Sequence, residues 1–269
     1  KKIQKRNPSQ YVLLKKMTKP QVHPLFREIP GGLEPWEKYD CPKKQIQQKV
    51  RRKINGRTYL SVASTRQLDQ YIIQVLGVPG QVLMEQAGRG AAKLIYKKYP
   101  LQKYSRVLVV AGQGNNGGDG LVIARLLALW GYTVSVVILA DSVQLSPDAL
   151  LNFKRLPAKV SVHFLTKQNF LNRQKNFQKL LKFSDLLVEA IFGTGFHDRP
   201  APFFSKIIQT INTAAKPVVA VDIPSGINGD HGPSSADYIL AADTVTFFAR
   251  KIAMKNKNIF GKIKVIPLV

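Results

Sequence analysis

Cysteine is nearly absent from this chain: Cys41 is the only one in 269 residues. An intrachain disulfide is therefore excluded, which suits a reducing compartment, the cytoplasm or the mitochondrial matrix. Long apolar runs are missing too. None approaches the roughly 20 residues that a membrane-spanning helix needs, and no apolar core of a secretory signal is present. With Lys1 rather than Met in first place, a leader is expected to have been removed or to lie outside the chain. Acidic residues are the third scarcity, 16 Asp+Glu against 41 Lys+Arg, for a formal net charge of +25. A surface so short of carboxylates repels cations and attracts polyanions such as nucleic acid or anionic lipid.

The charge is densest at the start. Residues 1–60 hold 16 of the basic residues and 4 of the acids. Prolines 8, 20, 24, 30, 35 and 42 interrupt any helix or central strand there, because each lacks an amide donor and fixes φ. Only Lys43 to Arg57 has the makings of a short basic helix, ended by Asn55-Gly56. Residues 1–58 are therefore expected to be an extended basic arm, and 59–269 a domain. Such an arm suits threading across RNA and neighbouring proteins; the alternative is an arm lying along its own domain or a dimer mate.

From residue 59 the pattern is regular. Ser64-Thr65 begins a helix that ends near Gly77, and a second helix follows Pro79-Gly80. Apolar strands over 107–111, 132–139, 160–165, 186–192, 217–222, 243–249 and 262–268 are then expected. Helices over 120–130, 147–156, 169–183 and 202–213 fall between them. Near-continuous apolar strands alternating with amphipathic helices specify a Rossmann-like three-layer αβα sandwich with a mostly parallel central sheet. In such folds ligands sit at the C-terminal ends of the strands.

Three strand ends carry acids together with glycines. The first runs through Gly112, Gly114, Asn115, Asn116, Gly117, Gly118, Asp119 and Gly120, where bare amides and a helix N-terminus suit an anionic ligand. The second is Glu189 to Phe196, with Gly193, Thr194 and Gly195; the third is Asp222 to Gly226, with Ser225. Gly112-x-Gly114-x-x-Gly117, with Asp141 near the end of the next strand, also fits a dinucleotide fingerprint, so a dehydrogenase is a rival reading. The continuation Gly118-Asp119-Gly120 counts against it, since a Rossmann turn normally enters an apolar helix at that point. No Gly-Lys-[Ser/Thr] follows a glycine loop, which argues against a P-loop nucleotidase.

GQGNNGGDG, FGTGF and VDIPSG, in this order, resemble the YjeF N-terminal domain family, the NAD(P)H-hydrate epimerases. YLSVASTRQLDQ, LGVPGQVLMEQAG and DTVTFFARK extend the resemblance over about 59–269. It implies interconversion of the C6 epimers of hydrated NADH or NADPH. It also implies that Asn115, Asn116, Gly117, Gly118 and Asp119 line the hydrated dinucleotide, as do Gly193, Thr194, Gly195, Phe196, His197, Asp198 and Arg199. Asp222 is implied at the reacting hydrate, and Asn116, Glu189 and Ser225 as ligands of a potassium ion. Glu189 stands where the family typically has Asp, and Gln86 where Asn is usual.

His197 is read either as a proton donor or as a solvent-facing loop residue; His23, His163 and His231 are too scattered for a metal site. Lys154-Arg155, the Arg173, Lys175, Lys179, Lys182 series, and Lys251, Lys255, Lys257 are read as an RNA-facing surface, with ordinary solvated faces as the alternative. The leading expectation is thus an epimerase-like domain serving as a subunit of a large RNA-containing assembly, a mitochondrial ribosome with rRNA and neighbouring proteins as partners. The alternative is a working epimerase, as a homodimer when free. The mitochondrial matrix is the expected location, otherwise the cytoplasm.

Overall fold

The structure, a computed structural model, describes residues 53–54, 57–140 and 144–268. Almost all of the expected basic arm, and Asp141, lie outside the described residues. Where the arm is described it is not helical. Lys53–Ile54 pairs antiparallel with the start of the next strand, Lys53 opposite Thr58 and Ile54 opposite Arg57.

Seven strands form the central sheet: β1 (Arg106–Ala111), β2 (Thr133–Ile138), β3 (Ser161–Phe164), β4 (Leu186–Ala190), β5 (Val218–Val221), β6 (Asp243–Phe247) and β7 (Lys262–Ile266). Their order is β7-β6-β5-β4-β1-β2-β3, and every pairing is parallel. The chain runs outward from β1 to β3, then returns to the other side of β1 with β4. The reversal makes β1 and β4 neighbours and opens a crevice beyond their C-terminal ends.

The helices are α1 (Val62–Gln70), α2 (Gly80–Lys98), α3 (Asn115–Leu129), α4 (Pro147–Lys154), α5 (Phe170–Phe183) and α6 (Pro202–Thr213). Side chains alternate across each strand. Val107 and Val109 face a core shared with α2, α3 and α4, whereas Leu108 and Val110 face one shared with α5 and α6. Burying an aliphatic side chain of this kind contributes about 1.5–3 kcal/mol. Truncating the fully buried Leu121 to Ala would therefore cost about 2–5 kcal/mol.

Two boundaries differ from the sequence reading for identifiable reasons. The cap of α1 is Ser61, whose Oγ accepts from the Ser64 amide at 3.0 Å, not the Ser64-Thr65 pair. Helix α3 begins at Asn115 rather than at 120, so only Gly112, Gln113 and Gly114 form a loop. Glycines 117, 118 and 120 lie inside the helix, where they weaken intrinsic helicity by up to ~1 kcal/mol each. Packing requires them there: a Cβ on Gly117 would sit 2.0 Å from the Gly112 carbonyl oxygen, and one on Gly120 would sit 2.7 Å from Ala190 Cβ. For Gly117 the tight return of its own loop excludes a side chain, whereas Gly118 and Gly120 are required by the approach of Met84 and Ala190. Ser146 capping α4 with Pro147 behind it, and α6 over 202–213, are as expected.

Candidate functional site

The loops after β1, β4 and β5 converge, as the strand order requires, on a cavity of about 870 Å³. Gly112 to Asn116 and Asp119 form one wall; Ile191 to Arg199 form another; Asp222 and Lys251 lie in a third. Gly112 is pressed against the β4 loop so closely that a Cβ would come 2.1 Å from the Ile191 carbonyl oxygen. Gly114 caps α3 without a side-chain acceptor, and no acidic residue lies in the first turn. The first-turn amides of α3 are thus available to an anion.

Asp222 is the most constrained group in the cavity. It follows β5 with φ of +65°, a left-handed conformation unusual for a residue with a Cβ. Its amide donates to the Val245 carbonyl at 2.7 Å. Oδ2 accepts from the Thr194 amide at 3.0 Å, which ties the β4 loop to the β5 loop. Oδ1 is salt-bridged to Lys251 Nζ at 2.9 Å. That ammonium is only 1% exposed and also donates to Thr246 Oγ1 at 2.9 Å and to the Phe247 carbonyl at 3.2 Å. The expectation that Lys251 belongs to an exposed basic face, RNA-facing or solvated, is therefore corrected. Its neighbour in that series, Lys255, is exposed; Lys251 is the buried counter-charge of Asp222. Of the other carboxyls that line the cavity, those of Asp119 and Asp69 are shifted. Burial, then the Asp222 and Asp69 charges, push the Asp119 carboxyl well above the usual carboxylate range. Burial also raises Asp69 to about 6, opposed by Lys251 and assisted by Asp222.

Of the residues implied by resemblance, Asn115, Asn116, Asp119, Gly193 to Arg199 and Asp222 line the cavity. Gly117 and Gly118 do not: they are buried behind that wall, and a Cβ on Gly118 would meet Met84 at 2.6 Å. Asn115 Oδ1 accepts from Ser146 Oγ at 3.1 Å. His197 is held by Arg66, whose guanidinium lies 2.7 Å from Nε2. A guanidinium can only donate, so Nε2 accepts this bond and the ring proton of the neutral imidazole sits on Nδ1. Asp69, Arg66 and Lys251 were missed as site residues. All three lie in segments that carry the family resemblance, and Thr65 and Asp69, one helical turn apart on α1, both line the cavity.

Glu189 and Ser225 sit beneath the β4 loop. Glu189 is fully buried; its Oε1 accepts from Ser225 Oγ at 2.5 Å and the Ile191 amide at 2.7 Å, and Oε2 from the Ser225 amide at 3.1 Å. Burial pushes its carboxyl up to about 7 despite these bonds, and among the described residues no cation pairs with it. On the other side of the same loop, beside Gly193, Oδ1 and Nδ2 of Asn116 are buried with no hydrogen-bond partner. An uncompensated carboxylate, a hydroxyl and an orphaned amide oxygen around one loop are a donor set of hard oxygens, which fits a hard cation. No cluster of three or more His, Cys, Asp or Glu residues suited to a metal ion occurs among the described residues.

A doubly wound domain with an acid site at its switch point is the class this geometry defines. The sequence model described as YjeF-related protein N-terminus matches residues 80–253, and the chain belongs to that family. It is 36% identical over 201 residues to an NAD(P)H-hydrate epimerase of Limosilactobacillus fermentum, covering 72% of this chain and 88% of the relative. It is 37% identical over 209 residues to an NAD(P)H-hydrate epimerase of Lentilactobacillus buchneri, covering 77% and 92%. The crystal structure of yeast ynu0 superposes with a TM-score of 0.65 at 28% identity, covering 77% of this chain and 86% of that one. The rival dehydrogenase reading gains nothing from these relatives, and neither does the expected place in a ribosome.

Proposed function

We propose that the protein is an NAD(P)H-hydrate epimerase. Its substrate is hydrated NADH or NADPH, and its reaction is inversion at C6 by loss and return of the hydroxyl group. The observation that carries this reading is the Asp222 carboxylate, fixed by Thr194 and Lys251 where it lines the crevice. The chemistry at C6 requires a positioned acid–base group within hydrogen-bond reach of the departing and returning oxygen. The open N-terminus of α3 would receive the dinucleotide phosphates, and the loop from Gly193 to Arg199 would close over the rest.

A potassium ion fits Asn116, Glu189 and Ser225. When bound it would supply a positive charge for Glu189 and a ligand field for the Asn116 amide oxygen, ordering the loop between them. In its absence Ser225 and the Ile191 amide hold that carboxylate.

The test is direct. A single purified C6 epimer of hydrated NADPH is incubated with the protein and the epimer ratio is followed by chromatography. Rapid equilibration is expected, with Asp222→Asn slower by roughly 100- to 10,000-fold. A wild-type rate no faster than the spontaneous one sinks the reading.

A second reading attaches to α5. Arg173, Lys175, Lys179 and Lys182 are all exposed on a helix without a single acid. This face would add polyanion binding to the enzyme rather than replace it. Gradient sedimentation of a native lysate at low and high salt tests it: co-migration with ribosome-sized particles that survives moderate salt supports association with RNA, and free migration at both salts excludes it.

A further inference from the structure

The cavity contains more acids than an Asp222-only mechanism uses. Asp119 lies on α3, one helical turn beyond Asn116, and lines the same space as Asp222 from a different wall. Asp222 has the Lys251 ammonium and the Thr194 amide. Asp119 has neither a hydrogen bond nor an ion pair to any of the described residues, so its carboxyl is presented to whatever fills the cavity. Asp69, from α1, Asp148 and Asp198 also line the cavity. Lys251 is the only buried ammonium among the described residues, and it is committed to Asp222.

We propose that Asp119 is a second catalytic residue, the group that donates a proton to the hydroxyl leaving C6 while the Asp222 carboxylate receives the proton of the returning water. The proposal rests on the epimerase reading. In the first half-reaction the C6–O bond breaks, the lone pair of the ring nitrogen forms a C=N⁺ bond, and the Asp119 proton converts the departing hydroxide to water. In the second, water forms a new C6–O bond on the opposite face, the C=N⁺ electron pair returns to nitrogen, and Asp222 takes the surplus proton. No electrons are gained or lost. The enzyme finishes with one proton moved from Asp119 to Asp222, and exchange with water in the open cavity resets it. The reverse reaction uses the same two groups with exchanged roles. Burial and the two neighbouring carboxyls favour the protonated form of Asp119, which is the form a donor needs.

The experiment compares wild type, Asp119→Asn and Asp119→Glu for kcat of epimer interconversion, with NADPH binding measured by calorimetry on the same samples. The Asn variant is expected to lose roughly 100-fold or more in kcat with NADPH binding retained, and the Glu variant to recover part of that loss. If Asp119→Asn turns over like wild type, the proposal is overturned and the epimerase reading stands. If wild type itself fails to interconvert the epimers, both fall together. Should the Asn variant not fold, the wild-type protein decides alone. Its infrared difference spectrum on adding NADPH at neutral pH must contain a shifted protonated-carboxyl band, and the lack of one overturns the proposal.

Discussion

Lys251 Nζ and Asp222 Oδ1 face each other at 2.9 Å inside the protein, brought together from separate strand ends. Lys251→Met leaves the carboxylate in place without its counter-charge. Breaking a buried pair from one side typically costs about 3–5 kcal/mol, more than the pair itself contributes. Denaturant unfolding of the variant should show a loss of about 3 kcal/mol, and turnover should fall with it. A stability within about 0.5 kcal/mol of wild type would mean that the cavity hydrates the charge freely.

Gly112 and Gly114 predict unequal outcomes two residues apart. Alanine at 112 forces a methyl group to 2.1 Å from the Ile191 carbonyl oxygen, while at 114 nothing lies within 4 Å. Gly112→Ala should destabilise the fold by about 1–3 kcal/mol and open the seam between the β1 and β4 loops. Gly114→Ala should cost less, only the preference of a helix N-cap for glycine over alanine, about 1 kcal/mol or below. Equal behaviour of the two variants would contradict the packing.

Potassium should stabilise the protein beyond its ionic strength. A ligand at 100 times its Kd adds about 2.7 kcal/mol, so several degrees in midpoint are expected in potassium chloride relative to choline chloride. Glu189→Gln and Ser225→Ala should both abolish the difference. A midpoint indifferent to the cation would remove potassium from the account of Asn116.

Asp69 supplies a pH signature. Its carboxyl is raised to about 6 in the folded protein from an ordinary value of 3.8, so the native state binds the extra proton between those limits. This contribution favours folding at low pH and is lost as pH rises through about 6. Asp69→Asn should therefore gain stability relative to wild type across that window and hold a constant advantage above it. Urea unfolding of both proteins at several pH values measures the difference; a difference that shrinks with rising pH reverses the sign and refutes the assignment.

The sheet was legible because its strands are apolar on both faces, as Val107 to Val110 illustrate, and because α4 carries its own punctuation in Ser146 and Pro147. The start of α3 was not, since glycine is ordinarily a helix breaker and only the crowding by Ala190 and Met84 reveals why it is needed there. Asp222, Glu189 and Ser225 could be picked out as acids and hydroxyls at strand ends. Lys251 could not. Among so many lysines nothing local marks the one that is buried, because its burial depends on a carboxylate 29 positions earlier in the chain. Asp69 was hidden in the same way, on a helix whose role became visible only once it lined the cavity.

The two-residue strand Arg250–Lys251 is hydrogen-bonded in parallel to Tyr59 and Leu60. The counter-charge of Asp222 is thus stitched to the stretch that leads directly into α1, whose Asp69 lines the same cavity. A substitution that loosened either of these two rungs would reach the ammonium beside Asp222 without touching any wall of the cavity.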